Sequence, residues 1–365
     1  MNSVVYGGLD VHKDSISACL INRETGAIFQ EQVPNDQGRL LRATRRWQKL
    51  GQLRLCYEAS GAGYVIKRWL DGEGIDCEVI APSRIPRAPG DRIKTDRRDA
   101  RKLAQLYAAG LLSPVRTPSQ EEEQVRAIVR LRDEITRDMT RIKNRVLKHL
   151  ARLGIRFEGG KNWTQKHRRW LQKLSLHPAD ALIVNMHLNT LDHLEAQRQD
   201  LDERIAVIAE EPAYRDRVQR LMCLRGIQLY SAMVLLTEIG DISRFGTAPQ
   251  LMSYFGLVPS ESSSGDSRYL GGITKTGNSR ARWILGQAAW NQTRRPGSER
   301  LRKQWATQAP EVVAIARKAE KRLHQKFWRI AARKERTIAA TAVARELAGF
   351  VWAVLSAPCA QVASS

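Results

Sequence analysis

Residues 4–33 read VVYGGLDVHKDSISACLINRETGAIFQEQV. Val, Ile, Leu and Tyr concentrate in VVYGGLD (4–10) and SISACLINR (15–23), with a polar step at His12–Asp14 between them. Such residues suit a pleated, half-buried surface, so the two runs are expected to pair as strands around that turn. AIFQEQV (27–33) reads as a third strand. Beyond it the pattern alternates. GRLLRATRRWQKL (38–50) has helical spacing, LRLCYEA (53–59) is a buried strand, GYVIKRWLDGEG (63–74) is a helix ended by glycine, and CEVIAP (77–82) is a strand. A basic, proline-containing loop, SRIPRAPGDRIK (83–94), leads to a helix over about 97–110. The order βββαβαβα predicts an α/β domain over 1–115, a mixed sheet covered by helices.

The rest of the chain is patterned for helices. Ile128, Leu131, Ile135, Met139, Ile142, Val146, Leu150 and Leu153 step by three or four among charged residues. That near-heptad stripe predicts a long amphipathic helix over 118–155, with the acids at 121–123 at its dipole-favoured start. A second, over 178–210, runs through Leu188, Leu191, Leu194, Leu201, Ile205 and Ile208. The two are expected to form an antiparallel coiled-coil spacer and dimerisation element within 116–211. Residues 212–358 read as a second, all-α domain, and 359–365 as a disordered tail. In it, LRGIQLYSAMVLLTEIG (224–240) is a glycine turn followed by a helix. The stretch PSESSSGDSRYLGGITKTGN (259–278) has no helical period and reads as a loop between two helices.

The 365 residues carry 60 Lys+Arg against 38 Asp+Glu, a formal charge of +22. Each phosphate neutralised by such a chain releases counterions, so a polyanionic partner is the first physical expectation. No apolar run is expected to span a membrane, and the first residues read as a strand rather than a signal peptide. The expectation is a cytoplasmic protein without a membrane partner. Cys19, Cys56, Cys77, Cys223 and Cys359 are scattered singly, which predicts buried free thiols and neither a disulfide framework nor a structural zinc.

Four acids bear on chemistry. Asp10 ends the first strand, Glu58 ends a buried one, and Asp96 and Asp99 stand at i and i+3 in KTDRRDARKLA. Acids at strand ends can converge at one edge of a sheet, and hard divalent cations take oxygen ligands. Each also has a plainer reading: a turn residue for Asp10, a helix cap for Asp96 and Asp99. Glu58 is harder to dismiss, because an unpaired glutamate closing an apolar strand is costly. The acids lie beside Arg84, Arg87, Arg92 and Lys94, candidate phosphate contacts.

GLDVHKDS, the YEAS glutamate, PGDRIKTDRRDARKLA, LRGI, FGLVPSESSSG and GGITKTGNSRARW together resemble the transposases of the insertion-sequence 110 family, the bridge-RNA-guided recombinases. The resemblance runs over nearly the whole chain. It implies an RNase H-like, Holliday-junction-resolvase-type N-terminal domain, then a coiled coil, then a helical transposase domain. It implies that Asp10, Glu58, Asp96 and Asp99 bind one or two Mg²⁺ ions. It further implies a nucleophilic serine shortly after a Gly-Leu-x-Pro segment. Here that segment is Gly256–Pro259, and the match selects Ser264, directly before Gly265, with Ser263 one residue away as the alternative. Arg268 and Lys275 can balance charge on the reacting phosphate, and Gly277-Asn278 can cap the next helix. The partners implied are target and donor DNA, a structured guide RNA and further copies of the chain, as a dimer and as a tetramer on DNA.

Basic residues also dominate 161–174, including Arg168 and Arg169, and 294–336, with Trp163, Trp170, Phe327 and Trp328 interleaved. These aromatics suit either a core or stacking on unpaired bases. Two rival readings remain: a structure-specific metal-dependent nuclease that uses the acids and water alone, and a non-catalytic nucleic-acid binder in which the serine block is a linker.

Overall fold

The computed structural model describes residues 3–82, 85–86, 96–264 and 267–358. The chain divides into two compact units, Met1–Pro118 and Ser119–Ser365.

The first unit is built on a five-stranded sheet. Its strands are β1 (Val4–Val11), β2 (Ser15–Asn22), β3 (Ile28–Pro34), β4 (Gln52–Glu58) and β5 (Asp76–Ile80), in the order β3-β2-β1-β4-β5. The hairpin expected at His12–Asp14 forms: β1 and β2 pair antiparallel, with Val11 opposite Ile16. β2 and β3 are also antiparallel, whereas β1–β4 and β4–β5 are parallel. The parallel pairs follow from the helices inserted before them, since a parallel return needs a crossover. Those helices are α1 (Gln37–Trp47) and α2 (Val65–Asp71). They pack with one sheet face around Leu9, Leu40, Trp47, Leu55, Tyr57, Ile66 and Leu70, all fully buried. The other face is covered by α3 (Asp96–Ala108), through Ala100 and Ala104 against Cys19.

In the second unit, α4 (Gln120–Arg152) and α6 (Pro178–Ala209) are the two long helices the spacing predicts. Ser119 and Glu122 form a reciprocal capping box at the start of α4, and Glu121–Glu123 occupy its first turn. The pair runs antiparallel. Ile135, Met139 and Ile142 meet Leu191, Leu194 and Leu201, and Val146 and Leu150 meet Val184 and Leu188. Two positions of the expected stripe are wrong: Leu131 and Leu153 are 46% and 41% exposed. Val129 is buried instead, because this end of α4 faces α8 (Leu229–Ile239) as well as α6. Between the long helices lies α5 (Gln165–Gln172), where the His167 ring stacks on Trp170 and meets Trp163 edge-on, beside Phe157.

The remaining helices are α7 (Arg215–Met222), α9 (Ala248–Tyr254), α10 (Ser279–Trp290), α11 (Glu299–Trp305), α12 (Pro310–Ala331) and α13 (Arg336–Ser356). The glycine turn expected at 224–228 separates α7 from α8. α13 corrects the reading that no apolar run approaches a membrane span, since its length and mean hydropathy of 1.6 would suffice. Its apolarity answers instead to packing: α7, α9, α10 and α12 surround it, and Ala339, Val343, Leu347 and Val351 are buried. Phe327 is core and Trp328 is 43% exposed, so the two neighbours divide between the two readings.

The serine stretch is not a loop. Pro259–Ser264 and Ser267–Ile273 form an antiparallel hairpin, β6 and β7, with Ser263 opposite Arg268 and Ser264 opposite Ser267. Serine and glycine carry little strand propensity, so the pairing is decided by the hairpin's feet. The amides of Thr274, Lys275 and Asn278 donate to the carbonyls of Val258, Gly256 and Tyr254 at 2.9, 3.1 and 3.0 Å. These backbone bonds tie both ends of the hairpin to the end of α9.

Candidate active site

The sheet register carries two of the four acids toward the same end of adjacent strands. Gly8 stands beside Cys56 and Leu9 beside Tyr57 in the parallel β1–β4 pair. The pairing ends there; Asp10 and Glu58 are the next residue of each strand, and neighbouring strands are about 4.8 Å apart. Because side chains alternate, Asp10 shares a face with Tyr6 and Gly8, and Glu58 shares a face with Cys56. That is the face under α3. The Tyr6 and Tyr107 rings meet edge-on at 5.5 Å, and Cys56 lies against the Leu103 carbonyl. At Gly8 the contact is backbone to backbone, since a Cβ there would sit 2.3 Å from the Ala100 carbonyl oxygen and 2.5 Å from the Ala104 nitrogen. Moving along β1 from Tyr6 to Gly8 therefore moves back along α3 from Tyr107 to Ala100. The start of α3, with Asp96 as its first residue and Asp99 one turn on, lies toward the Asp10 end of the strand.

His12 Nε2 pairs with Asp10 Oδ2 at 3.1 Å, which makes the turn histidine a neighbour of the first acid. The four acids offer only oxygen donors, the kind of ligand a hard divalent cation takes. Among the described residues no three acids, histidines or cysteines are grouped closely enough to hold an ion by themselves. Arg84, Arg87, Arg92 and Lys94 lie outside the described residues.

In the second unit, Ser264 is the last residue of β6 and Arg268 lies in β7. Lys275, at the hairpin's return foot, has φ +56, a left-handed conformation uncommon for a lysine. Gly277, at φ +109, is required by close approach: a Cβ would sit 2.3 Å from the Tyr254 carbonyl oxygen. Asn278 caps α10 as expected, its side chain accepting from the Ala281 amide at 3.0 Å. The sequence reading missed what the other end of that side chain does. Asn278 Nδ2 donates to Glu238 Oε2 at 2.7 Å, and Arg130 Nε and Nη2 donate to the two Glu238 oxygens, each at 2.8 Å. The Tyr254 hydroxyl donates to the Glu238 carbonyl at 2.8 Å. Glu238 is buried, 5% exposed. Burial pushes its carboxyl upward, but the hydrogen bonds and charge of Arg130, the Asn278 amide and the charge of Arg126 outweigh that and hold it below the ordinary value. This buried latch fixes the hairpin's return foot to α8 and α4. A lone glutamate in the apolar run SAMVLLTEIG was the signal that could have found it.

Arg168 is engaged within its own unit, in ion pairs with Asp192 at 3.3 Å and with Glu195, whereas Arg169 is exposed. Cys19, Cys56, Cys77 and Cys223 are free and buried, as expected, while Cys359 and the tail 359–365 lie outside the described residues. Burial raises all four thiols, Cys223 to about 11, which removes them as nucleophiles at neutral pH.

A sheet in the order 3-2-1-4-5, three strands antiparallel and two parallel, with acids near the ends of its first and fourth strands, makes the first unit a mixed α/β unit of the kind expected for an RNase H-like domain, joined to a largely helical one. The chain belongs to the IS116/IS110/IS902 family of transposases. The family's DEDD-type transposase model matches residues 7–155, and the model described as Transposase IS116/IS110/IS902 family matches residues 218–309. A Sinorhizobium fredii protein with a transposase name is 36% identical over 96% of this chain and 88% of its own length. The transposase for insertion sequence element IS1533 of Leptospira borgpetersenii is 32% identical over 93% of this chain and 100% of its own. The pilin gene-inverting protein of Moraxella lacunata is 27% identical over 73% and 75%. The chain is thus a transposase, an enzyme of DNA recombination.

Proposed function

We propose that this transposase cuts and rejoins DNA through Ser264, with Asp10, Glu58, Asp96 and Asp99 as ligands for Mg²⁺ and with its sites chosen by a structured guide RNA. The observation that carries the catalytic part is the register of β1 and β4. It leads to Asp10 and Glu58, the next residues of the two strands, and the course of α3 directs its first turn toward that end, which supports the reading. Bound there, a divalent ion would supply positive charge to a phosphodiester and lower the pKa of an attacking hydroxyl. The Ser264 hydroxyl attacks phosphorus, the P–O bond to one strand breaks, and the serine proton passes to the leaving hydroxyl. The resulting phosphoserine ester keeps the bond energy, so a new strand's hydroxyl reverses the step without ATP. Two features of the second unit favour this over a water-based nuclease. The serine stretch is a paired hairpin with both feet tied to α9, rather than a linker, and a latch holds its return foot.

The reaction uses acids of the first unit and a serine of the second at one phosphate, and the family resemblance supplies that through assembly of copies, a dimer and then a tetramer on DNA. The α4–α6 pair is the proposed coiled-coil element for it. The charge of +22 supports binding of both DNA and RNA and fits a cytoplasmic enzyme, with Arg84, Arg87, Arg92, Lys94, Arg169, Arg268 and Lys275 as phosphate contacts.

The test is a trapped reaction on a nicked donor with its guide RNA. The wild-type chain gives a DNA-linked species that survives denaturation, and peptide mapping finds the phosphate on Ser264. Ser264→Ala binds both nucleic acids and forms no adduct, and Asp99→Asn does likewise while remaining folded. Full recombination by Ser264→Ala without an adduct anywhere in 260–267 defeats the serine mechanism. Cleavage by Ser264→Ala with free ends returns the chain to the nuclease reading.

A further inference from the structure

A cleft opens between α4, α8 and α10 in the second unit, with a volume of about 470 Å³. That is within the ordinary range for small-ligand sites, about 300–1,000 Å³. Its floor is apolar, formed by Val129, Val234 and Ile284. Its rim carries the Trp283 indole, 55% exposed, and Arg280, three residues earlier on the same face of α10. Opposite, α4 contributes Arg130, Asp133, Thr136, Arg137 and Thr140, spaced so that they share one face.

The chemistry of this lining is mixed in a particular way. Guanidinium groups and carboxylates alternate: Arg280 donates to Asp133 at 2.6 Å, Arg137 pairs with the same carboxylate, and Arg130 holds Glu238. A site for phosphate alone would present donors only, and a site for an aliphatic group would present no ion pairs. Acceptors and donors side by side, above an apolar floor and beside an open aromatic ring, match a flat ring whose edge carries both kinds of group. An exposed indole offers a flat face on which a base can stack, and a chain of net charge +22 draws polynucleotides to it.

We propose that this cleft binds an unpaired nucleobase, stacked on Trp283 and read along its edge by Asp133, Arg137 and Arg280. The proposal deepens the function above, because the cleft shares the Asn278–Glu238–Arg130 latch with the foot of the serine hairpin. β6 runs from Pro259 to Ser264, so at about 3.3 Å per residue the serine is some 16 Å beyond the foot. The base in the cleft is therefore not the reacting nucleotide but one further along the strand. Its seating and the placement of the hairpin depend on the same buried groups.

The probes are short single-stranded oligothymidylate and oligouridylate, each carrying one iodouracil for photocrosslinking to the full-length chain. The expected result is a crosslink in the peptide containing Trp283, and an affinity loss of roughly tenfold or more for Trp283→Ala, in line with measured base-stacking contributions. Trp283→Phe restores most of that affinity. Trp283 is exposed, so the alanine variant keeps its melting temperature. Stronger binding of one oligonucleotide identifies DNA or RNA as the source of the base, and either supports the site. Crosslinks elsewhere with unchanged affinity for Trp283→Ala overturn the proposal. So does a loss of self-association in that variant with unchanged oligonucleotide binding, which would make the cleft a contact between copies of the chain. Ser264→Ala separates the two proposals. If it recombines normally while the Trp283 crosslink persists, the serine mechanism falls and the nucleobase site stands.

Discussion

Gly8→Ala tests whether the crossing of α3 over β1 sets the site. A Cβ at Gly8 would lie 2.3 Å from the Ala100 carbonyl oxygen, 2.5 Å from the Ala104 nitrogen and 2.7 Å from Leu103 Cβ. Two of these are backbone atoms of a helix and cannot rotate away. Ordinary contact begins at 3.4 Å, so the shortfall is 3.4 − 2.3 = 1.1 Å, and α3 must lift by about that much. Overpacking of this kind costs about 1–3 kcal/mol. In a unit of this size each kcal/mol lowers the melting midpoint by about 4–8 °C. The same lift moves Asp96 and Asp99 away from Asp10 and Glu58, and a displacement of about 1 Å at a reacting centre can cost about 100-fold in rate. The assays are thermal denaturation of the full chain and strand cleavage on donor DNA under saturating Mg²⁺. Gly286→Ala is the control: it is a helix-interior glycine with nothing within 4 Å of its Cβ position, and it should be neutral or stabilising by up to about 1 kcal/mol. If Gly8→Ala melts like the parent, the close crossing is not as described. If it loses stability but cleaves at the parent rate, the position of α3 does not govern the site.

The Glu238 latch gives a second prediction. Glu238→Ala strands the Arg130 guanidinium and the Asn278 amide and should cost about 2–3 kcal/mol, toward the low end for a buried pair because Arg130 is partly exposed. Glu238 has a lowered pKa, so its contribution is complete above the ordinary carboxylate value of about 4.3 and disappears as pH falls through the folded value. The stability difference between parent and Glu238→Gln should therefore shrink in acid and be constant from pH 6 to 8 (about neutral); a difference that grew in acid would show that the carboxylate is not the stabilising form. Binding of duplex DNA should weaken with salt along a line of slope near −0.9 per neutralised phosphate. A salt-independent affinity would contradict the polyanion reading of the charge.

The strand sequence of the first unit was legible because alternation and turn chemistry are local. β-Branched runs, a polar step at His12–Asp14 and a helix between later strands leave few arrangements open, and the mixed sheet follows. The pairing of the long helices was legible for the same reason, since a stripe at three- and four-residue spacing needs a partner along its length. The stripe's ends were not, because which helix meets Leu131 or Val129 depends on the placement of α8. Asp10, Glu58, Asp96 and Asp99 could be singled out as types at element ends. Only the register of β1 against β4 carries Asp10 and Glu58 toward the same end of adjacent strands, and only the course of α3 directs its first turn toward that end.

The second unit shows the limit more sharply. Ser and Gly carry weak propensities, so residues 259–278 alone could not distinguish a loop from a hairpin. Their strands exist because the backbone at 254–258 and 274–278 is held by three hydrogen bonds and by the buried Glu238. The sequence reading passed over α13, whose length and composition suit a membrane span, and its packing against α7, α9, α10 and α12 accounts for that apolarity. Local order in this chain was written in short-range pattern. Long-range partners decided which faces are buried, which strand ends lie side by side and whether a serine stretch pairs as a hairpin, because those depend on contacts between residues far apart in the sequence.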